Sequence, residues 1–393
     1  MEKPSDVDVS SLHVAYLTNM IPPHMAPMLR ELQRRCRRLT VLLSTAMESD
    51  RDWDADWDGL EVVVQKTFTR TLKVKHRDGF TQDYLTHFSL DTIGQLRRIN
   101  PDVVISSDLG IRSILAAIGA RLFSRKVLVL SCGLSEHTER NVGWPRTQVR
   151  RVLARTADHL CSTGTSGVHY LQKLGTEPAR ISVAPYSRVP ILESPEAGRT
   201  RSGSPTRLLY VGRLIELKGV VPFAQSLIDW ANAHAGVRTE FWLAGDGAER
   251  PGLDRLAVPA NLYMRVLGSL SFEQLREVYS QCDVLVLPTL TDEWALVVDE
   301  ALAAGLPVLG SIYAQAVTDL VFDGDNGWRY DPRDPLDVQR ALTEVFGTSA
   351  EQLAHMRVAA RRSVEHRTPA FAADCVIQAI EFAVERRRPR RRA

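Results

Sequence analysis

The sequence predicts an α/β protein with two Rossmann-like, doubly wound parallel-sheet domains that face each other across a cleft. Its 393 residues exceed the ~250–300 residues at which a single hydrophobic core stops growing. Short apolar runs typical of strands alternate with longer helical patterns from end to end. Around Pro185 to Pro205 this alternation stops in a segment rich in Pro, Ser, Gly and Arg, which indicates a linker between two domains.

In the first half, buried-strand patterns predict a parallel sheet with helices between its strands. The predicted strands are residues 14–17, 40–43, 103–106, 127–131 and 159–162. The predicted helices are residues 27–35, 90–99, 111–122 and 145–156. These elements form an N-terminal domain over residues 1–190, followed by the linker at 191–206.

The second half repeats the alternation and predicts its own doubly wound domain over residues 207–365. Strands are predicted at 207–211, 239–244, 263–267, 284–288 and 307–310, and helices at 221–233, 272–280, 296–304, 335–346 and 350–365. A helix in 366–386 and a basic tail at 387–393 complete the chain. In open α/β sheets ligands bind at the carboxyl ends of the strands, so we expect the site at those ends.

The composition is that of an ordinary soluble globular protein. A formal net charge of only +2 argues against a protein that coats nucleic acid. The five cysteines are scattered without the spacing of a disulfide framework or a zinc site, and no apolar segment of signal-peptide or membrane-spanning length is present. We expect a cytoplasmic protein with no bound metal, and no dinucleotide or P-loop fingerprint follows a predicted strand.

Two short stretches are rich in arginine. One is the terminal RRRPRRR from Arg386 to Arg392, and the other holds Arg30, Arg34, Arg35, Arg37 and Arg38. Such runs are typical of solvated tails and faces, and the alternative is weak peripheral contact with an anionic membrane at its inner face.

A glycine turn after a buried strand carries two cations in the segment LLYVGRLIELKG, which ends at Gly219. Arg213 and Lys218 stand at the carboxyl end of the strand, where Arg can grip phosphate oxygens bidentately and Lys adds a compact charge. The pair favours a site for a nucleotide diphosphate, whose negative charge grows as its bond to a sugar breaks. The alternative is two solvated turn residues.

Acidic residues surround the start of a helix in PTLTDEWALVVDEALAAGLPVLGS. Asp292 and Glu293 precede the helix and Glu300 lies within it. The carboxylates can hold hydroxyls of a sugar and a ribose, and the N–H groups of Trp294, Ala295 and Leu296 can face an anion. The alternative makes Asp292 an N-cap and Glu300 a solvated helix residue.

The second half resembles the retaining family-4, or group 1, glycosyltransferases of the GT-B fold. The resemblance extends from Leu208 to Pro332 and includes VGRL with KG, AGDG, DVLVLPT, EALAAGLPV and DGDNGWRYDP. The family's two signature glutamates, with seven residues between them, fall on Asp292 and Glu300, so the first is replaced by the shorter Asp.

The resemblance implies a role for each of these residues. Arg213 and Lys218 would bind the donor diphosphate, and Gly212 and Gly245 would lie beside the donor. Asp292 would contact hydroxyls of the transferred sugar, and Glu300 would bind the nucleotide ribose. Glu293 is the alternative to Asp292, and Trp294 stands where the family often has Phe.

The first half resembles the family more loosely. The segment SEHTER places His137 where relatives often have a histidine that contacts the donor sugar. His24, in the loop TNMIPPHMAP, is the candidate on the acceptor side. The family also implies that the last helix packs back on the N-terminal domain, and the helical spacing of its apolar residues predicts that Phe371, Cys375, Ile380 and Val384 face inward.

The family implies retention of anomeric configuration. Because the histidines show no HExxH-like spacing and no Asp-x-Asp pair stands at a predicted strand end, we expect transfer without a metal ion or a cofactor. The substrates would be a nucleotide-sugar donor and an acceptor that the sequence does not identify. Two alternatives remain open at this point: a sugar-nucleotide 2-epimerase, and a sugar-nucleotide-binding scaffold that lacks catalysis.

Overall fold

The computed structural model describes residues 7–48, 57–75, 81–122, 126–139, 143–187 and 206–387. The chain divides into two compact units, one formed by Met1–Ser187 with Arg367–Ala393 and the other by Arg188–His366. The predicted linker at 191–206, apart from its last residue, and the tail residues 388–393 lie outside the described residues.

The first unit is built on a seven-stranded parallel sheet with a separate antiparallel hairpin. Its strands are β1 (His13–Thr18), β2 (Arg38–Leu43), β3 (Glu61–Val64), β4 (Thr67–Lys75), β5 (Thr81–Ser89), β6 (Val103–Ser107), β7 (Val127–Cys132), β8 (His159–Ser162) and β9 (Ile181–Val183). Its helices before the second unit are α1 (Met25–Arg35), α2 (Thr92–Ile99), α3 (Ile111–Leu122), α4 (Trp144–Thr156) and α5 (Thr165–Lys173).

The sheet of the first unit has the strand order β3-β2-β1-β6-β7-β8-β9. Every residue of β1 is buried, because helices cover both faces of a parallel sheet and both sides of each strand must be apolar. The hairpin β4–β5 is absent from the sequence prediction, since its alternation of Thr with larger residues carries no continuous buried run.

The second unit is built on a six-stranded parallel sheet. Its strands are β10 (Thr206–Val211), β11 (Thr239–Ala244), β12 (Leu262–Gly268), β13 (Val284–Leu287), β14 (Val308–Ser311) and β15 (Gly327–Tyr330). Its helices are α6 (Val220–Ala233), α7 (Arg250–Asp254), α8 (Phe272–Gln281), α9 (Leu296–Ala304), α10 (Gln315–Leu320), α11 (Pro335–Gly347) and α12 (Ala350–Val364).

The strand order of the second sheet is β12-β11-β10-β13-β14-β15. The direction of winding therefore reverses between β10 and β13, which makes the gap beyond their carboxyl ends the switch point of the sheet. The five strands predicted for this half are confirmed with each boundary within one residue, and β15 was not predicted. Two doubly wound parallel-sheet domains are thus present.

The last helix, α13 (Pro369–Arg387), packs against α1 and against β7 and β8 of the first unit. Its buried residues are Ala372, Ala373, Val376, Ala379, Ile380 and Ala383. Ile380 faces inward as predicted, whereas Phe371, Cys375 and Val384 are only half-buried. The physical reason is that α13 uses an alanine-rich face, which lets two helices approach closely, and the prediction counted only the larger apolar residues.

The first arginine-rich stretch is largely neutralised by ion pairs. Arg34 and Arg35 pair with Glu31, and Arg35 also lies 3.3 Å from Asp374. Arg37 pairs with Asp102 at 3.2 Å, and Arg38 with Glu61 at 2.7 Å. The described helices include none that is long and apolar enough to cross a membrane.

Candidate functional site

The loops at the switch point of the second unit carry the predicted site residues. The loop after β10 holds Gly212, Arg213 and Lys218, and the loop after β13 holds Asp292. Because β10 and β13 are parallel neighbours, both loops emerge at the same edge of the sheet. The topology thus brings together two segments that are more than seventy residues apart in sequence.

Close backbone contacts position the loop after β10. A Cβ atom on Gly245 would lie 1.9 Å from the carbonyl oxygen of Gly212, so only glycine fits there. The amide of Gly212 donates to Ala244 at 3.0 Å, and that of Gly245 donates to Gly268 at 2.8 Å. The loops after β10 and β11 are therefore packed backbone to backbone, which explains the glycine of the AGDG motif.

The loop after β13 is packed equally closely against the end of the first loop. Gly219 has a φ of 63°, and a Cβ atom there would lie 2.3 Å from the carbonyl oxygen of Pro288. The amide of Leu290 donates to the carbonyl of Leu217 at 2.9 Å. These contacts fix the distance between the loop that carries Lys218 and the loop that carries Asp292.

Lys218 and Asp292 form an ion pair in which Nζ donates to Oδ2. Their side chains are only 19% and 16% exposed, so the pair is sheltered from solvent while one edge remains open. Asp292 Oδ1 also accepts from the amide of Trp294 at 3.4 Å. Asp292 is not the N-cap of α9, because Ala295 occupies that position.

The buried Tyr210 is hydrogen-bonded to the loop that carries Arg213. The Tyr210 hydroxyl donates to the carbonyl oxygen of Arg213 at 2.7 Å. Burial raises the pKa of Tyr210, and the charge of Asp292 raises it further while that of Arg213 lowers it. The charges of Arg213 and Asp292 therefore act on one buried hydroxyl, and Arg213 itself is half-buried.

The segment between Asp292 and α9 has an unusual backbone. Ala295 has a φ of 72°, which is uncommon for a residue with a side chain. The Trp294 indole is 2% exposed, and its Nε1 donates to Asp299 Oδ2 at 2.5 Å. The Trp294 ring is thus an anchor within the unit rather than an open binding surface, and it holds Ala295 in its conformation.

Glu293 is exposed, and its carbonyl oxygen accepts from Gln315 Nε2 at 2.5 Å. Glu293 is thus more exposed than Asp292, whose side chain is only 16% exposed. Helix α9 begins at Leu296, one residue after the left-handed Ala295. The amides at the start of α9 thus follow directly after the loop that carries Asp292.

Glu300 on α9 is largely enclosed, so the alternative of a solvated helix residue is wrong. Burial raises the pKa of its carboxyl group to about 7, a hydrogen bond from Tyr279 lowers it, and the charge of Asp299 raises it. Tyr279 on α8 is fully buried and donates to Glu300 Oε2 at 3.2 Å. Sequence reasoning missed Tyr279, although a tyrosine at a core position of an amphipathic helix signals a polar partner.

The two predicted histidines belong to the first unit. His137 lies in the segment after β7 and is half-buried. His24 is the N-cap residue of α1, and its ring packs edge-on against Tyr186 with 4.9 Å between ring centroids. Burial lowers the pKa of His24 to about 4, so its ring is neutral at pH 7.

Two family models match the chain. Residues 205–347 match the model described as Glycosyl transferases group 1. Residues 21–187 match the model described as Glycosyl transferase 4-like domain. The two matches together span most of the chain, one in each compact unit.

Similar characterised proteins include the glycogen synthase of Mycobacterium tuberculosis, which is 29% identical over 283 residues, 70% of this chain and 67% of the relative. The D-inositol 3-phosphate glycosyltransferase of Acidothermus cellulolyticus is 29% identical over 197 residues, 46% of this chain and 43% of the relative.

Similar solved structures include the lipopolysaccharide outer core galactosyltransferase WaaB, with a TM-score of 0.69 at 15% identity, over 94% of this chain and 99% of that one. Anabaena Alr3699/HepE in complex with UDP-glucose has a TM-score of 0.67 at 14% identity, over 95% of this chain and 100% of that one. At such identity the likeness shows the fold alone, which is the GT-B fold.

Proposed function

The chain belongs to the group 1 glycosyltransferases of family 4, and on that premise we propose that its donor is a nucleotide-diphosphate sugar. The sugar would pass to an acceptor hydroxyl with retention of configuration and without a metal ion. The observation that carries this proposal is the group of Arg213, Lys218 and Asp292 at the switch point of the second sheet. Two cations and one carboxylate match a diphosphate joined to a sugar.

The cations would act on the leaving group. When the bond between the anomeric carbon and the diphosphate breaks, negative charge collects on the phosphate oxygens, and Arg213 and Lys218 would stabilise it. The close packing of the loops at Gly245 and Gly219 means that this charge is held in place before reaction. Preorganised charge of this kind lowers the barrier without a reorganisation cost.

Asp292 rather than Glu293 would bind the sugar. Asp292 is held by Lys218 on the sheltered side of the loop, whereas Glu293 is exposed. A donor diphosphate bound to Lys218 would lie close to Asp292, because Lys218 pairs with Asp292. The Asp292 carboxylate would then be next to the sugar that the diphosphate carries. The backbone amides of Ala295 and Leu296 would then face the phosphates from the start of α9, whereas the amide of Trp294 donates to Asp292.

Glu300 would accept hydrogen bonds from the ribose hydroxyls, for which the ionised carboxylate is the stronger acceptor. His137 would contact the donor sugar and His24 the acceptor. Because His24 is neutral at pH 7, its role would be a hydrogen bond and not a charge. The arginine tail would also make weak contact with an anionic membrane at the cytoplasmic face.

The transfer step needs no enzyme nucleophile. The acceptor oxygen would attack the anomeric carbon on the face from which the diphosphate leaves, so a new C–O bond forms as the bond to the diphosphate breaks. The acceptor proton would pass to a phosphate oxygen of the departing nucleoside diphosphate. Anabaena HepE has been captured with UDP-glucose, which supports a donor of this type.

A screen of sugar nucleotides tests the proposal. Full-length protein is heated with UDP-, GDP- and ADP-sugars in the presence of EDTA, and a ligand at a hundred times its dissociation constant is expected to add ~2.7 kcal/mol of stability. The donor with the largest shift is then incubated with the protein, and nucleoside diphosphate and free or transferred sugar are measured. An epimerised donor, binding without turnover, or turnover that EDTA stops would each contradict the proposal.

A further inference from the structure

The hairpin β4–β5 stands at the ligand-binding edge of the first sheet. β4 begins at Thr67, three residues after the parallel strand β3 ends at Val64. The hairpin therefore leaves the sheet from its carboxyl end, which is where α/β sheets bind ligands. Its two strands pair from Thr67 opposite Ser89 to Lys75 opposite Thr81.

Two polar residues of β5, His87 and Ser89, attach one face of the hairpin to the unit. His87 is buried between Thr69 and Glu48, with its ring nitrogens 2.8 Å from Thr69 Oγ1 and 3.1 Å from Glu48 Oε1. Ser89, also buried, donates to Ser44 Oγ at 3.1 Å. Glu48 and Ser44 follow β2, so hydrogen bonds attach this face to the carboxyl edge of the sheet.

The opposite face is apolar and points to solvent. Phe68 is 60% exposed and Leu72 is 40% exposed, and both lie on one face because side chains alternate along a strand. The Phe68 and Phe88 rings meet at 6.4 Å between centroids, and Leu90, just beyond β5, is 78% exposed. Two-stranded hairpins are marginal in water without a covered apolar face, and exposed apolar patches mark interaction sites.

A cation lies within this apolar face. Arg70 falls between Phe68 and Leu72 on the same side of β4 and is exposed, as is Lys66 at the base of the hairpin. Among the side chains that the structure describes, no carboxylate forms an ion pair with Arg70 or Lys66, whereas Arg38 on β2 is paired with Glu61 at 2.7 Å. The face thus presents apolar surface and positive charge to a partner.

We propose that the outward face of β4–β5, formed by Phe68, Arg70, Leu72, Phe88 and Leu90, binds the acceptor, and that the acceptor is an anionic amphiphile. Its apolar chain would cover the phenylalanine and leucine side chains, and its acidic group would pair with Arg70. This inference rests on the proposed function, because a ligand held at this edge is an acceptor only if the chain transfers sugar.

Three probes separate the apolar and charged contributions: dodecyl glucuronide, uncharged dodecyl glucoside, and glucuronic acid without a chain. Binding to the full-length protein is measured by calorimetry below the micelle concentration. We expect dodecyl glucuronide to bind at least tenfold more tightly than either of the other two. The double variant Phe68→Ser/Leu72→Ser should bind dodecyl glucuronide at least tenfold more weakly. Arg70→Ala should weaken the binding of dodecyl glucuronide but leave the binding of dodecyl glucoside unchanged.

Matched controls come from exposed residues of the same unit. Leu122→Ser at the end of α3 and Arg98→Ala near the end of α2 should leave binding of all three probes unchanged, since both residues are exposed and neither belongs to the hairpin. Donor binding measured on the same samples reports the proposed function separately. The proposal would be overturned if wild type and the hairpin variants bound the amphiphile equally, or if wild type did not bind it. It would also be overturned if wild type formed a dimer without binding the amphiphile and the double variant abolished that dimer.

Discussion

At the scale of single residues, the ion pair between Lys218 and Asp292 explains how an aspartate can take a position where relatives have a glutamate. The aspartate side chain is one methylene shorter, so its position depends on the groups that hold it. Lys218 and the amide of Trp294 supply that support. The Asp292 side chain is therefore held by two hydrogen bonds, whereas the Glu293 residue is exposed.

Asp292→Asn should lower kcat/KM for sugar transfer at least about tenfold, because a hydrogen bond to a charged group contributes ~1.5–3 kcal/mol. The same change releases Lys218 from its carboxylate, so affinity for the nucleoside diphosphate alone should stay equal or rise. Steady-state kinetics and calorimetry with the nucleoside diphosphate measure the two effects. Glu293→Gln is the matched control and should stay within about twofold of wild type; the reverse result for the two variants would assign the sugar to Glu293.

The residue-scale features differ in how far sequence could predict them. The spacing of Asp292 and Glu300 and the glycine turn with Arg213 and Lys218 are local patterns, so they are visible in the sequence. Their hydrogen-bond partners are not visible in the sequence, because only the fold brings Lys218 to Asp292 and Tyr279 to Glu300. The buried Trp294–Asp299 contact and the left-handed Ala295 were likewise hidden, because both depend on how α9 packs.

At the scale of elements, the contact between α8 and α9 controls the charge of Glu300. The carboxyl pKa of about 7 results from burial, against which the hydrogen bond from Tyr279 acts. Ionised Glu300 is the better acceptor for ribose, so we expect donor affinity to fall as the pH drops through 7. The direction follows from the raised pKa, because protonation removes the negative charge in that range.

Tyr279→Phe should move the midpoint of this pH dependence upward, since it removes the hydrogen bond that lowers the pKa of Glu300. Glu300→Gln should instead bind the donor weakly, with an affinity that does not vary between about pH 6 and 8. This range extends about one pH unit either side of the pKa of Glu300. Donor dissociation constants over that range provide the test, with Tyr263→Phe on β12 as an exposed tyrosine control. An unchanged midpoint in Tyr279→Phe would show that the hydroxyl does not act on Glu300.

The hairpin β4–β5 shows why some elements escaped prediction. Its buried residues, His87 and Ser89, are polar, and its apolar residues Phe68 and Leu72 are exposed, which reverses the pattern on which strand prediction depends. The strands β3 and β9 were missed because none of their residues is fully buried, and β15 because the half-buried Arg329 interrupts its short buried run. By contrast, β8 is buried throughout and β11 at all but one position, and both were predicted with their observed bounds.

At the scale of the whole molecule, the chain uses two sheets of the same topology for different chemistry. The second sheet carries cations and carboxylates at its switch point, and the first carries an exposed apolar hairpin with Arg70 at its carboxyl edge. The alternation of strands and helices was enough to predict both sheets, because helix-covered parallel strands must be apolar on both faces. The acceptor was not predictable, because its recognition depends on loops and hairpins outside that alternation.

The central claim is that Arg213 and Lys218, held at the carboxyl end of β10, bind the donor diphosphate as its bond to the sugar breaks. Its most direct test is the rate at which nucleoside diphosphate is released from the donor that the screen identifies, in wild type, Arg213→Ala and the exposed control Arg255→Ala. We predict that Arg213→Ala lowers kcat/KM by about 10²–10³-fold, the usual effect of removing one group that stabilises developing charge, while Arg255→Ala matches wild type. Release by Arg213→Ala at the wild-type rate would contradict the account.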